Sequence, residues 1–295
     1  MKVLIIGATG MLGYSLFQGL SDAAHLDVYG TVRSIEGKEP FFSDCEKRLF
    51  KGVDVSDLAT IEAVFKVINP AVVINCIGLI KQHSISKQHV DAIAINSLLP
   101  HQLASLCDNY SCKLIHFSTD CIFDGKKGLY TENDTPDALD LYGRSKCLGE
   151  VDYAPHLTLR TSIIGHELNS TVSLVDWFLS QESRTKGFSK AIFSGLPTCV
   201  IARFLIEKIL PASDLVGLYQ LSVEPIDKFT LLHAIAEKYC KKIEIIESTD
   251  LHIDRSLSSN RLRDALNLEI PSWKALISEM HDDYKYRYEK YRCKN

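Results

Sequence analysis

Four large apolar residues, Val3-Leu4-Ile5-Ile6, run straight into the turn Gly7-Ala8-Thr9-Gly10-Met11-Leu12-Gly13, and a helix-period stretch from Met11 to Leu20 follows. A short run that is apolar at every position reads as a strand covered on both faces, because a strand with one wet face alternates. Small residues in the turn let the backbone reverse tightly and approach a ligand closely. The N–H groups at the start of the helix have no partners within it, so they favour a negative group such as a pyrophosphate. Glycine turns in α/β proteins are often only tight turns. The strand before this one and the helix after it favour a bound dinucleotide.

The same alternation continues through the first 160 residues: LDVYGTV, a polar region ending at VDV, a helix from Leu58 to Ile68, AVVINCIG, a helix near His89 to Asp108, KLIHFSTD, the Tyr142 helix, then LTLRTSIIG. Apolar strands separated by helices imply an α/β fold, a doubly wound parallel sheet of Rossmann type. Beyond Arg160 the rhythm changes. Residues 163 to 194 are loop-rich, GLYQLSV is a strand that can join the sheet edge, and 250 to 267 is polar. The expected division is a nucleotide-binding domain of 1–162 and 195–224, with a smaller C-terminal α/β substrate-binding domain of 163–194 and 225–295.

A net charge of -4 argues against a nucleic-acid partner. The first apolar run stops at Gly7, far short of a signal segment or membrane span, so a cytoplasmic protein without membrane association is expected. Nine cysteines form no C-x-x-C pair and lack histidines at zinc-ligand spacing, which reads as reduced thiols and no metal.

Ser118 and Thr119 precede Tyr142-x-x-x-Lys146. Residues four apart share a helix face, so the ammonium is expected near the phenol, lowering its pKa by roughly 1 to 3 units and making Tyr142 a proton donor near neutral pH. Alone, such a pair is more often an apolar contact beside a solvated charge. The order of glycine turn, hydroxyl pair and Tyr-Lys helix favours the chemical reading.

The second strand ends GTVRS with no acid to accept from ribose hydroxyls. Arg33 is placed to clasp a 2'-phosphate with Ser34 beside it, so NADP(H) is favoured, with NAD(H) the alternative. Asp54 and Val55 are placed to border the adenine, although turn chemistry at Asp54 with Ser56 as a helix cap explains them equally. Cys76, Ile77 and Gly78 end the fourth strand near the switch point, where Gly78 lets a cofactor pass. Asn96 is placed to hold a water or backbone group behind Lys146, or is a satisfied core amide. His116 reads as a core or surface histidine, Asp120 and Asp124 as substrate contacts or loop caps, and Cys121 and Cys147 as core filler near the site.

With GATGMLG, STDCIFDG, YTENDTPDALDLYGRSKCLGE and LRTSIIG assembled, the chain resembles the extended short-chain dehydrogenase/reductase family, in particular its dTDP-4-dehydrorhamnose reductase branch. The resemblance spans nearly the whole length. It implies reduction of the 4-keto group of a nucleotide-linked 6-deoxyhexose, with Thr119, Tyr142 and Lys146 as the catalytic set, Gly7, Gly10 and Gly13 as the phosphate turn, and Arg160, Thr161 and Ser162 beside the nicotinamide. Asp120 and Cys121 are expected to meet the substrate, and Arg255, Arg261 and Arg263 its diphosphate. Cys121 and Ile163-Ile-Gly-His166 depart from the rhamnose enzymes, which implies an altered pocket. INCIGLIKQ, LRTSIIGHELNS and KAIFSGLPT resemble a sub-branch associated with UDP-linked 2-acetamido-2,6-dideoxy-4-hexuloses. Rivals are an epimerase or dehydratase of the same family and a non-catalytic regulatory subunit. A homodimer fits the resemblance, but the sequence does not show its interface.

Overall fold

The computed structural model describes residues 1–79 and 88–292; of the segments discussed above, the end of INCIGLIKQ and Cys293 lie outside the described residues. Strands β1 (Lys2–Ile6), β2 (Asp27–Thr31), β3 (Leu49–Phe50), β4 (Val72–Asn75), β5 (Lys113–Thr119) and β6 (Leu157–Thr161) are followed by β7 (Ile163–Ile164), β8 (Arg184–Phe188), β9 (Ala191–Phe193), β10 (Leu196–Pro197) and β11 (Gly217–Gln220). Among the described residues the main sheet has seven strands in the order β11-β6-β5-β4-β1-β2-β3, all parallel. Strand order reverses between β1 and β4. Ligands of doubly wound sheets bind in the crevice at the carboxyl ends of such strands.

Both faces of the sheet are covered, which is why β1 is apolar from Val3 to Ile6 and β4 from Val72 to Ile74. Helix α1 (Met11–Ser21) packs on the face carrying Val3 and Ile5. Helix α2 (Leu58–Ile68) covers Leu4 and Ile6 on the other face. There it is joined by a continuous helical stretch made of α3 (His89–Ala92), a π-helical turn (Ile93–Leu98) and α4 (Leu99–Asn109). Helix α5 (Leu141–Leu148) lies beside the π-helical turn.

After α6 (Leu174–Ser180) and α7 (Thr198–Phe204), the latter packed against α1, the chain builds small sheets from β12 (Ile226–Asp227), β13 (Glu244–Ser248) and β14 (Ile253–Asp254). Helices α8 (Lys228–Lys238) and α10 (Trp273–Tyr284) share with α6 a second core of Val175, Phe178, Leu231, Ile235, Ile277 and Met280. The stretch expected to be polar and irregular instead contains β14 and a short helix α9 (Asn260–Leu266) between β14 and α10. Leu262 on that helix is buried in the main core, and this long-range contact outweighs the polar composition. Among the described residues, no helix is long and apolar enough to cross a membrane.

Two glycines hold the first turn in shape. Gly7 has φ +90°, a left-handed conformation that disfavours any side chain. Gly13 lets α1 press against the turn, since a Cβ there would lie 2.0 Å from the Gly7 carbonyl oxygen. Gly13→Ala is therefore expected to destabilise the protein by about 1 to 3 kcal/mol, as overpacking does. Urea denaturation measures it, and an unchanged midpoint would mean that α1 can move away without loss.

Candidate active site

The turn after β1 ends in a helix whose start is left uncapped: α1 has no side-chain cap and no acidic residue in its first turn. Gly10 is exposed, and the nearest atom to a Cβ placed there is 3.8 Å away, so the backbone is open to a ligand. Thr9 and Met11 are half-buried beside it, while Leu12 and Gly13 are buried and serve packing. Past the end of β2, Arg33 and Ser34 are exposed. Asp54 accepts from the Ser56 N–H at 2.9 Å, and this bonding, with a smaller contribution from Arg33, holds its carboxyl below the usual range. Helix α2 is capped by Asp57, which accepts from Ala59 at 3.0 Å. Ser56 is thus not the cap; it lies one residue before it and bonds Asp54. Val55 is half-buried next to it.

The second half of the site is made where β5 ends against α5. Asp140 caps α5 by accepting from the Gly143 N–H at 2.9 Å. Thr119 donates to Asp120 at 3.2 Å, accepts from the Cys121 N–H at 3.1 Å and lies close enough to the Tyr142 hydroxyl to affect its proton affinity. One turn on, Lys146 is buried with its Nζ donating to the Phe117 carbonyl at 2.7 Å. Thr119, Tyr142 and Lys146 therefore all lie where the end of β5 meets α5.

Their electrostatics differ from the sequence expectation. Burial, with the neighbouring Cys121 thiol, raises the Tyr142 pKa, and only the Thr119 contact pulls it back appreciably. Burial also pushes Lys146 down to about 8, opposed by Glu150. The phenol is not acidified by the amine here, because both groups have lost water and the Lys146 bond goes to a backbone carbonyl.

Gly78 is exposed beside this amine; a Cβ there would sit 3.5 Å from Asn96 Oδ1 and 3.8 Å from Lys146 Nζ. Asn96, in the π-helical turn, accepts from the Leu79 N–H at 2.8 Å and donates to Ser145 Oγ at 3.1 Å. Ile77 closes over Gly7, and burial pushes the Cys76 thiol up. Thr161 is buried, its hydroxyl on the Ser162 carbonyl at 3.0 Å. The open turn, the uncapped helix and the buried amine next to Gly78 fit the anionic and ribose portions of a dinucleotide.

On the side away from the turn, Asp120 is buried and Cys121 has its thiol pushed up to about 12 by burial, so it is not a ready nucleophile. Arg255 reaches these residues, donating to the Phe123 carbonyl at 2.7 Å and to Cys121 Sγ at 3.7 Å. Arg261 does not. It stacks on Tyr219 and donates to the Leu218 carbonyl at 3.2 Å, on edge strand β11, and Arg263 lies 3.4 Å from Glu224. Asp124 accepts from the Lys126 N–H at 2.9 Å, ordinary turn chemistry. His116 is fully buried, accepts from Asn75 at 3.1 Å and is kept neutral by burial and by Lys146.

His166, expected to alter the pocket, is 2% exposed and held between Asp176 at 2.7 Å and Tyr239 at 2.8 Å. It ties α6 to α8 instead of facing a ligand. Sequence reasoning missed this link, and also the Glu150–Arg160 pair beside Lys146, since neither has a local signature.

The family described as RmlD substrate binding domain matches residues 1–286. A probable low-salt glycan biosynthesis reductase, Agl14, of Haloferax volcanii is 33% identical over 180 residues, 59% of this chain and 57% of that protein. Methionine adenosyltransferase 2 subunit beta of Danio rerio is 26% identical over 261 residues, 81% of this chain and 74% of that protein. A dTDP-4-keto-6-deoxy-D-glucose reductase of Streptomyces niveus is 28% identical over 148 residues, 50% of this chain and 45% of that protein. The crystal structure of dTDP-4-dehydrorhamnose reductase from Bacillus anthracis in complex with NADP superposes with a TM-score of 0.78 at 21% identity, covering 96% of this chain and 99% of that one. At that identity the likeness speaks for the fold.

The depressed Lys146 amine is directly measurable. In the ligand-free protein, NMR of 13Cε-labelled lysine is expected to show one resonance titrating near pH 8, charged below and neutral above, that is missing from Lys146→Met. A set of lysines all titrating near the usual 10.4 would contradict it.

Proposed function

The chain belongs to the RmlD substrate binding domain family, and from that premise we propose that it is an NAD(P)H-dependent oxidoreductase that reduces the 4-keto group of a nucleotide-linked 6-deoxyhexose. The observation that carries this reading is that Thr119 and Tyr142 lie together at the end of β5 while the buried Lys146 amine, one helical turn on, sits against the same strand beside exposed Gly78. The glycine turn would hold the cofactor's diphosphate, Arg33 and Ser34 a 2'-phosphate, Asp54 and Val55 the adenine, and Cys76, Ile77, Gly78, Thr161 and Lys146 the nicotinamide half. Bound there, the cofactor supplies the hydride.

The chain's own residues manage the proton. A raised pKa keeps Tyr142 protonated at neutral pH, so its hydroxyl is available to give a proton to the oxygen that gains charge at C4. Thr119 aligns that hydroxyl and donates to the same oxygen. The phenolate left behind is unfavourable in a buried site; Lys146, which does not acidify the phenol in the ligand-free protein, would offset that charge on turning toward it when cofactor and substrate are bound. We assign residues 1–162 and 195–224 to the cofactor and 163–194 and 225–295 to the substrate, with a homodimer as the expected assembly. Lying against Cys121, Arg255 is the arginine we assign to the sugar diphosphate.

A second reading, a non-catalytic subunit, is favoured by the length of the match to the zebrafish protein. The retained Thr119, Tyr142 and Lys146 speak against it. Tyr142→Phe is expected to lower turnover of a 4-keto sugar nucleotide roughly 10²-fold or more with cofactor affinity little changed. Stopped-flow turnover and cofactor titration check both halves; wild-type protein that binds NADPH yet turns over no 4-keto sugar nucleotide would favour the subunit.

For the substrate we infer a UDP-linked 2-acetamido-2,6-dideoxy-4-hexulose, supported by the small Cys121 beside Arg255 and by the resemblance of the flanking segments. With His166 buried, that residue lends no support. A comparison of kcat/KM on UDP- and dTDP-linked 4-keto sugars is expected to favour the UDP compound. The reverse preference would place the protein with the dTDP-linked reductases.

A further inference from the structure

Glu150 lies one turn beyond Lys146, just past the end of α5, and three donors hold its carboxylate. Ser118 of β5 donates to Oε1 at 2.6 Å, while Arg160 of β6 donates through Nε to Oε1 at 2.8 Å and through Nη2 to Oε2 at 2.7 Å. The Arg160 and Glu150 side chains are only 4% and 8% exposed. Ser118 directly follows Phe117, whose carbonyl receives the Lys146 proton. Network and amine thus share one strand end.

We propose that Glu150 is a positioning residue that keeps Lys146 charged at working pH, with the Arg160 fork setting how much of the carboxylate's field reaches the amine. A buried ammonium bonded to a neutral carbonyl has lost most of its solvation and tends to shed its proton. A carboxylate four residues on, just past the end of that helix, opposes that loss. The other groups around this end of α5 give no such help. His116 of β5 is neutral, the π-helical turn offers the uncharged Asn96, Tyr142 on α5 is protonated, and Arg160 of β6 carries the same sign as the lysine. Among the described residues Glu150 is the acid whose charge raises Lys146. Pairing with Arg160 satisfies both oxygens of that acid and also weakens its reach.

Opposite effects of the two partners make the idea testable. Removing the carboxylate leaves Lys146 facing an unpaired Arg160, so both changes disfavour the ammonium. Removing the guanidinium leaves Lys146 facing an undiluted carboxylate, which favours it. This rests on the reading of Lys146 as the amine of a reductase site, so the measurement is made first without turnover, by the 13Cε lysine titration of the ligand-free protein. Glu150→Gln is expected to move the Lys146 midpoint down by about one pH unit or more, and Arg160→Gln to move it up. The Glu150→Gln/Arg160→Gln double variant, which keeps the net charge and buries no lone ion, is expected to move it down by less than Glu150→Gln; it serves if the single variants do not fold. A purely structural pair would lower the unfolding midpoint without displacing the titration in opposite directions. Folded variants that all titrate where wild type does would overturn the proposal. The basic limb of kcat/KM is expected to follow the same shifts. Shifts in the titration without any in the limb would leave the tuning standing and remove Lys146 from the reaction.

Discussion

The contact on which the site depends is the close approach of α5 to the π-helical turn. A Cβ at Gly149 would lie 1.9 Å from the Asn96 carbonyl oxygen, so only a glycine lets the two segments meet. Ser145 is gripped by two residues of that turn, its Oγ by Asn96 and its carbonyl by the Ser97 hydroxyl at 2.8 Å. Helices with π-type turns often carry functional residues at the bulge, and here the bulge aims Asn96 at Leu79 and Ser145 together. Lys146 is trapped between these groups and β5. Its burial, and hence its chemistry, follows from helix packing.

That burial governs the electrostatics. Tyr142 and Lys146 are both moved toward their neutral forms, in opposite directions on the pH scale. A phenol that holds its proton and an amine lowered to about 8, still mostly charged at neutral pH, give a site in which a small change of surroundings can move the amine's charge. Burial also silences the nearby thiol of Cys121 and the imidazole of His116. Chemistry is thereby left to the hydroxyls and the amine. The Glu150–Arg160 pair supplies charge where water has been excluded.

On the far side, buried polar links hold the segment that follows β6. His166 joins Asp176 and Tyr239, and its ring lies 4.4 Å from Tyr284. Tyr284 belongs to α10, and Tyr288 beyond it packs edge-on against Tyr14 of α1 at 5.2 Å. The second core is thus connected to the first through aromatic rings and one histidine, and the glycine turn and the residues after β6 keep their relative placement through it.

What was legible in the sequence is what short-range physics decides. Apolar runs of four or five residues mark buried strands, and the period of Leu58 to Ile68 marks a helix with the bounds observed. The turn from Gly7 to Gly13 shows its own steric requirement, and four-residue spacing puts Tyr142 and Lys146 on one face. The tertiary structure alone decided which way their proton affinities move, because desolvation depends on what other segments bring up against them. It also decided that Arg255 and not Arg261 reaches Cys121, that Leu262 draws a polar stretch into a helix, and that Glu150 finds Arg160 across two strands. Spacing along a chain fixes which side chains share a face; the loss of water around them is set by contacts between residues far apart in sequence, and no local pattern records it.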